Sequence, residues 1–313
     1  MKTKLLALIK LALVSALVWW LVRDIDWMKL WQALISLHPV GIVLTLLAVI
    51  ASDVVIALRW YYLSRYRHPF RACFDANMLA FFFNTFVPAK LGDLAKIYYL
   101  SKRACIDPKE SSAIFVIERF FDVVILGFMV LFSALYAFKL KSLYFATFAL
   151  FFAAGLFLFA IYHKPFLKKL VALIPFTKLR RLVWRIALLI AHNLSPARAL
   201  TAFGITLVMW AFYYLCDILF FCYATDFDLS LLQIFTAATL AFAVSAIPLT
   251  PGGIGTFQAA FVLALGWYGV AKEDALGASS LLQLLYILPA TLYSLYLFIT
   301  QEIVRGMRHV STK

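Results

Sequence analysis

Charged residues are scarce along this chain, acidic ones most of all, and what is missing excludes whole classes of protein. Only 14% of the 313 residues are charged, with 15 aspartates and glutamates against 29 lysines and arginines. A soluble domain carries about a quarter charged residues, so this chain has too little polar surface to cover a globule in water. The cysteines, Cys73, Cys105, Cys216 and Cys222, form no C-x-x-C pair. Cys216 and Cys222 share one apolar run and lie too far apart along it to bridge. The five histidines are scattered, without the spacing of metal ligands. A disulfide framework, a metal centre and a bound cofactor are therefore not expected. Nor is an enzyme: the chain has no G-x-x-x-x-G-K-[ST], no G-x-S-x-G and no H-E-x-x-H.

What fills the space is hydrocarbon. Apolar residues make up 65% of the chain, and the mean hydropathy is +0.93. Long apolar runs cover 5–22, 41–58, 123–138, 143–162, 200–223 and 275–300. A membrane span needs roughly 20 such residues, and backbone in lipid must satisfy its own hydrogen bonds, so these runs predict six transmembrane helices. The first run resembles a signal peptide in its basic start. It lacks a small-residue cleavage site, and Trp19 and Trp20 read as interfacial anchors of a retained helix.

The net charge of +14 invites a nucleic-acid reading, but the positions of the charges oppose it. Lys164, Lys168, Lys169, Lys178, Arg180, Arg181, Arg185 and Arg198 crowd the segment 163–199, which has no acidic residue. Arg59, Arg65, Arg67 and Arg71 follow the second run, whereas the alternate loops balance or lack basic residues. The positive-inside rule then places both termini in the cytoplasm of a bacterial inner membrane. Nucleic acid is not an expected partner; membrane lipid is. Within the segment, 166–192 mixes basic and apolar residues as an amphipathic interfacial helix would.

Two apolar stretches do not read as simple spans. Residues 73–87 end at Pro88 and resume at 89–100; residues 231–250 are interrupted by Pro248 and by Pro251-Gly252-Gly253-Ile254-Gly255 before 256–268. Such breaks at membrane depth are tolerated only in protein or along a cavity, which predicts two broken or re-entrant helices. Pro88-x-x-Leu-Gly92 aligns with Pro251-x-x-Ile-Gly255, and the same offset pairs Ala80 with Ala243 and Leu100 with Leu263. An inverted repeat would give this match, with halves at about 41–138 and 200–300 joined by 163–199 in a single domain, 1–313. Two unrelated kinks would also give it.

Charges inside apolar runs mark the candidate site. Glu118, Arg119 and Asp122 have the spacing to meet on one helix face. The run after them, 123–138, is only about 24 Å long at 1.5 Å per residue, so the trio falls near a headgroup boundary. It is either an ion-pair cluster that orients the helix or a substrate site. Lys90 and Asp93 flank Gly92, where a helix start near Leu91 would offer N–H groups to a phosphate. Gly252, Gly253 and Gly255 after Pro251 offer a loop of backbone donors. Asp53 has Arg59 and Arg119 as expected partners; Asp53 and Asp217 are either proton carriers or buried hydrogen-bond acceptors.

The blocks Arg59-Trp60, Asn84…Pro88-x-Lys90-x-Gly92-Asp93, Glu118-Arg119-x-x-Asp122 and Pro251-Gly252-Gly253-Ile254-Gly255 resemble, in that order, the lysylphosphatidylglycerol synthase transmembrane-region family, also described as flippase-like. The resemblance covers nearly the whole chain. It implies an all-α membrane domain that moves a phospholipid or polyprenyl-phosphate headgroup between leaflets. The headgroup would be bound by Arg59, Lys90, Gly92, Asp93, Glu118, Arg119 and Asp122 with the Pro251–Gly255 block. No polar synthase domain is read here, so synthesis is not implied, and Lys90 stands where the resemblance leads one to expect arginine. The alternative is an accessory subunit that positions a separate cytoplasmic lipid-modifying enzyme. Such an enzyme, and further copies of this chain, are the protein partners the sequence leaves open.

Overall fold

The computed structural model describes residues 25–87, 91–103, 106–138 and 143–311. The expected span at 5–22, Pro88 and Lys90 of the first break, and Cys105 lie outside the described residues. Every regular element among the described residues is helical. In chain order these are α1 (Trp27–Ile35), α2 (Pro39–Leu63), α3 (Phe70–Phe86), α4 (Gly92–Arg103), α5 (Pro108–Phe138) and α6 (Leu143–Tyr162). Then follow α7 (Lys164–Ala172), α8 (Thr177–Asn193), α9 (Pro196–Tyr223), α10 (Leu231–Ala246), a 3₁₀ turn at Pro251–Gly253, α11 (Thr256–Gly266) and α12 (Lys272–Ser311).

Local chemistry explains the boundaries. Proline opens α2, α5 and α9, where a missing N–H is harmless. The carboxylate of Asp26 accepts from the amides of Met28 and Lys29 to cap α1, and Ser230 with Gln233 forms a capping box on α10. Helix α4 carries Asp93 in its first turn and Lys102 and Arg103 in its last, as the helix dipole favours. Among the described residues three helical stretches are long and apolar enough to cross a membrane: Pro39–Leu63, Pro196–Tyr223 and Lys272–Thr300.

The run at 123–138 is the latter part of the 31-residue helix α5, which also carries Glu118, Arg119 and Asp122, as their spacing predicted. One expectation changes. The amphipathic segment is two short helices, α7 and α8, because Pro175 lies between them and cannot continue the hydrogen-bond ladder.

The contacts divide the chain into two compact units. One takes the chain up to Asp53, Asp75–Lys96 and everything from Phe212 on; the other takes Val54–Phe74 and Ile97–Ala211. In the first unit α11 packs on α10 and α12, and α12 on α1. There Gly41 of α2 approaches the backbone of Tyr223 and Ala224 so closely that a Cβ would sit 2.2 Å from the amide nitrogen of Ala224. In the second unit α5 packs against α6 and α8, over a core that includes Trp60, Leu100, Ile114, Ile117 and Leu194.

Candidate functional site: an ion-pair cluster and a pair of helix breaks

Glu118 and Asp122 stand one turn apart on α5 and so share a face. Two carboxylates on one buried face need a cation, and α2 supplies it. The Nη2 of Arg59 donates to Glu118 Oε1 at 2.5 Å; its Nη1 donates to Asp122 Oδ1 at 2.6 Å and, less directly, to the Thr206 hydroxyl at 3.4 Å. The neighbouring Trp60 indole donates to the other oxygen of Glu118 at 2.6 Å. Arg59 and Glu118 are both 2% exposed at the side chain, Asp122 16%. Arg119 differs. It is 43% exposed, sits 3.7 Å from Glu118 and 3.8 Å from Asp122, and lies over the Phe115 ring.

The cluster thus holds two cations and two anions, all within the second unit. Arg59 is its buried pin and Arg119 its outward-facing member. The expected pairing of Asp53 with Arg59 or Arg119 is not seen. Among the described residues Asp53 makes no hydrogen bond or ion pair, and Arg59 gives its terminal donors to Glu118, Asp122 and Thr206.

In the first unit the two helix breaks form the second feature. At the first, the amide of Gly92 donates to Asn84 Oδ1 at 2.9 Å, and the Asn84 amide donates to Asp93 Oδ1 at 3.4 Å. The N–H read as available to a phosphate is therefore already bonded to α3. Gly92 is needed for approach and not for a turn. Its φ is not positive, and a Cβ there would stand 2.0 Å from the carbonyl oxygen of Ala80.

At the second break Gly252, Gly253 and Gly255 all have positive φ, of 61°, 72° and 85°, which other residues adopt only with strain. Gln258 accepts from the Gly255 amide at 2.7 Å and donates to Gln283 at 2.6 Å; Gln283 in turn donates to the Gly252 carbonyl at 3.0 Å. Pro251 opens the 3₁₀ turn thus held. A Cβ on Gly252 would lie 3.0 Å from the Cα of Thr85, so the glycine turn rests on the last turn of α3. The second break thus lies against the helix that ends at the first.

The same unit buries further polar groups. Asp217 is fully buried; its Oδ1 accepts from the Tyr286 hydroxyl at 3.1 Å and its Oδ2 has no partner among the described residues. The Tyr293 hydroxyl donates to Asp75 at 2.7 Å. Sequence reasoning missed Thr206, Gln258, Gln283, Asp75, Tyr286 and Tyr293. The two glutamines carried a readable signal, since each interrupts an apolar helix. The threonine and tyrosines did not.

The family model described as the lysylphosphatidylglycerol synthase TM region matches residues 7–294 of the chain. No curated protein matches it.

Proposed function

The chain belongs to the lysylphosphatidylglycerol synthase TM region family of membrane domains, and from that premise we propose that it is a lipid translocase. In this reading it moves a phospholipid, or another lipid with a phosphate-linked headgroup, between leaflets. The observation that carries the reading is the contact of the glycine turn at 251–255 with Thr85 at the end of α3. Transporters place substrate beside broken helices because backbone released from a helix can bond a ligand and change shape at small cost. Here side chains hold the turn by hydrogen bonds from Gln283 and Thr256 and to Gln258, so exchanging them for headgroup contacts needs no helix to unwind.

In the cluster the roles divide by exposure. Arg59 has its terminal donors engaged with Glu118, Asp122 and Thr206, and holds α5 against α2. Arg119 is the cation within reach of a lipid phosphate, and its planar fork suits a phosphate better than an ammonium would. Both termini lie in the cytoplasm of a bacterial inner membrane in this reading. A cysteine placed at residue 178 of an otherwise cysteine-free chain should then resist labelling from outside intact cells, and its labelling would overturn the orientation.

The test of the function is leaflet exchange. Purified protein in vesicles should speed the crossing of at least one fluorescent lipid in a panel of phosphatidylglycerol, phosphatidylethanolamine and a polyprenyl phosphate. Exchange no faster than in protein-free vesicles, across the panel and with a transmembrane pH gradient imposed, would refute it.

A further inference from the structure

Helices α7 and α8 carry a set of cations that find no anion among the described residues. Lys164, Lys168 and Lys169 on α7 and Lys178, Arg181 and Arg185 on α8 are all exposed. None forms an ion pair with a described residue. Other cations of the same unit do find acceptors. Arg59 has its two carboxylates, Arg67 has Glu110, Arg65 bonds the carbonyl of His192, and Arg198 bonds that of Asn193. Between Asp122 and Asp217 the chain has no acidic residue at all.

The geometry separates these cations from the packed side. Helix α8 buries Ala187, Ile190 and Asn193, spaced by three, where it packs on α5 and α6. Lys178, Arg181 and Arg185, spaced by three and four, fall on the opposite face. Large apolar side chains are exposed beside them: Leu173 at 79%, Phe176 at 70%, with Leu179 and Leu182. A soluble acidic protein would satisfy the cations and leave these side chains in water. A lipid interface satisfies both, with phosphates beside the cations and acyl chains beneath the leucines.

We propose that α7 and α8 form an in-plane platform that binds anionic phospholipid headgroups of the leaflet they border. The platform goes beyond the translocation reading and does not depend on it, since headgroups would bind whether or not any lipid crosses.

The experiment titrates the full-length protein, in micelles of a zwitterionic detergent, with fluorescent phosphatidylglycerol or phosphatidylcholine. The wild type should prefer phosphatidylglycerol by at least about 100-fold. Each basic residue near an anionic surface contributes about fivefold in affinity, so Lys178→Gln/Arg181→Gln/Arg185→Gln should weaken phosphatidylglycerol binding by on the order of 100-fold and leave phosphatidylcholine binding unchanged. Raising salt to roughly 0.5 M should weaken the wild-type preference in the same direction, a measurement that needs no variant to fold. Equal affinity of the wild type for the two lipids would overturn the platform. So would an equal loss in the charge-matched variant Arg71→Gln/Lys102→Gln/Lys109→Gln, which would make the effect one of net charge alone. A triple variant that keeps its lipid preference but sheds a co-purifying soluble protein would overturn it too, and would assign the cations to a protein partner.

Discussion

Replacing Arg59 by methionine tests the division of labour in the ion-pair cluster. Methionine retains much of the side chain's apolar length but none of its donors, so Glu118 loses a 2.5 Å bond and Asp122 a 2.6 Å bond. Breaking a buried pair from one side costs about 3–5 kcal/mol, because the partner is left charged and uncompensated. Two features pull the loss toward the lower end of that range. Trp60 still donates to Glu118, and Arg119 stands 3.7–3.8 Å from both carboxylates. A loss of about 3 kcal/mol lowers the folded-to-unfolded ratio by roughly a hundredfold.

Equilibrium unfolding in mixed micelles, followed by circular dichroism, reads this loss. The control is Arg59→Met/Glu118→Gln/Asp122→Asn, which removes the stranded charges and keeps an amide oxygen at position 118 to accept from the Trp60 indole. It should recover at least half of the lost stability. A cost of less than about 1 kcal/mol for Arg59→Met alone, the range of an exposed pair, would refute the role of Arg59 as the buried pin. A triple variant no more stable than the single one would refute it equally.

Arg119→Ala should cost at most about 1 kcal/mol, since the side chain is 43% exposed and its ion pairs are long, yet leaflet exchange should fall at least about tenfold and be only partly restored by lysine. An alanine variant with wild-type exchange would remove Arg119 from the site. Gly92→Ala should fail to fold or be destabilised by more than about 3 kcal/mol, measured in the same unfolding assay, because its Cβ would stand 2.0 Å from a backbone oxygen of α3 that cannot rotate away. Asp217→Asn keeps an acceptor for the Tyr286 hydroxyl and should leave stability within about 1 kcal/mol of the wild type. If Asp217 carries a coupling proton, the variant's exchange rate should no longer respond to an imposed pH gradient; an unchanged response excludes that role.

Composition and periodicity determined the class of this protein by themselves. Apolar runs without charge can satisfy their backbone only as helices in lipid, and proline followed closely by glycine within such runs marks a break, whereas Pro289 and the lone Gly155 and Gly204 stay inside helices, so the all-helical architecture and both broken segments were legible. The mutual spacing of Glu118, Arg119 and Asp122 was legible too, because it is internal to one helix. Contacts between residues far apart in the chain were not. That Arg59, and not Arg119, is the buried counter-charge depends on how α2 meets α5, over a separation of 59 residues for Glu118. That Gly92 is required for approach to Ala80, while Gly255 is required for its left-handed backbone, depends on backbone path; in sequence both stand four residues after a proline. Gln258 and Gln283 lie 25 residues apart on different helices, and only their packing turns two isolated polar residues into the clasp of the glycine turn. Local patterns encode which segments become helices and where they stop, whereas the partner of each buried polar group is chosen by the assembled helices, because an unpaired one is too costly to leave in an apolar interior.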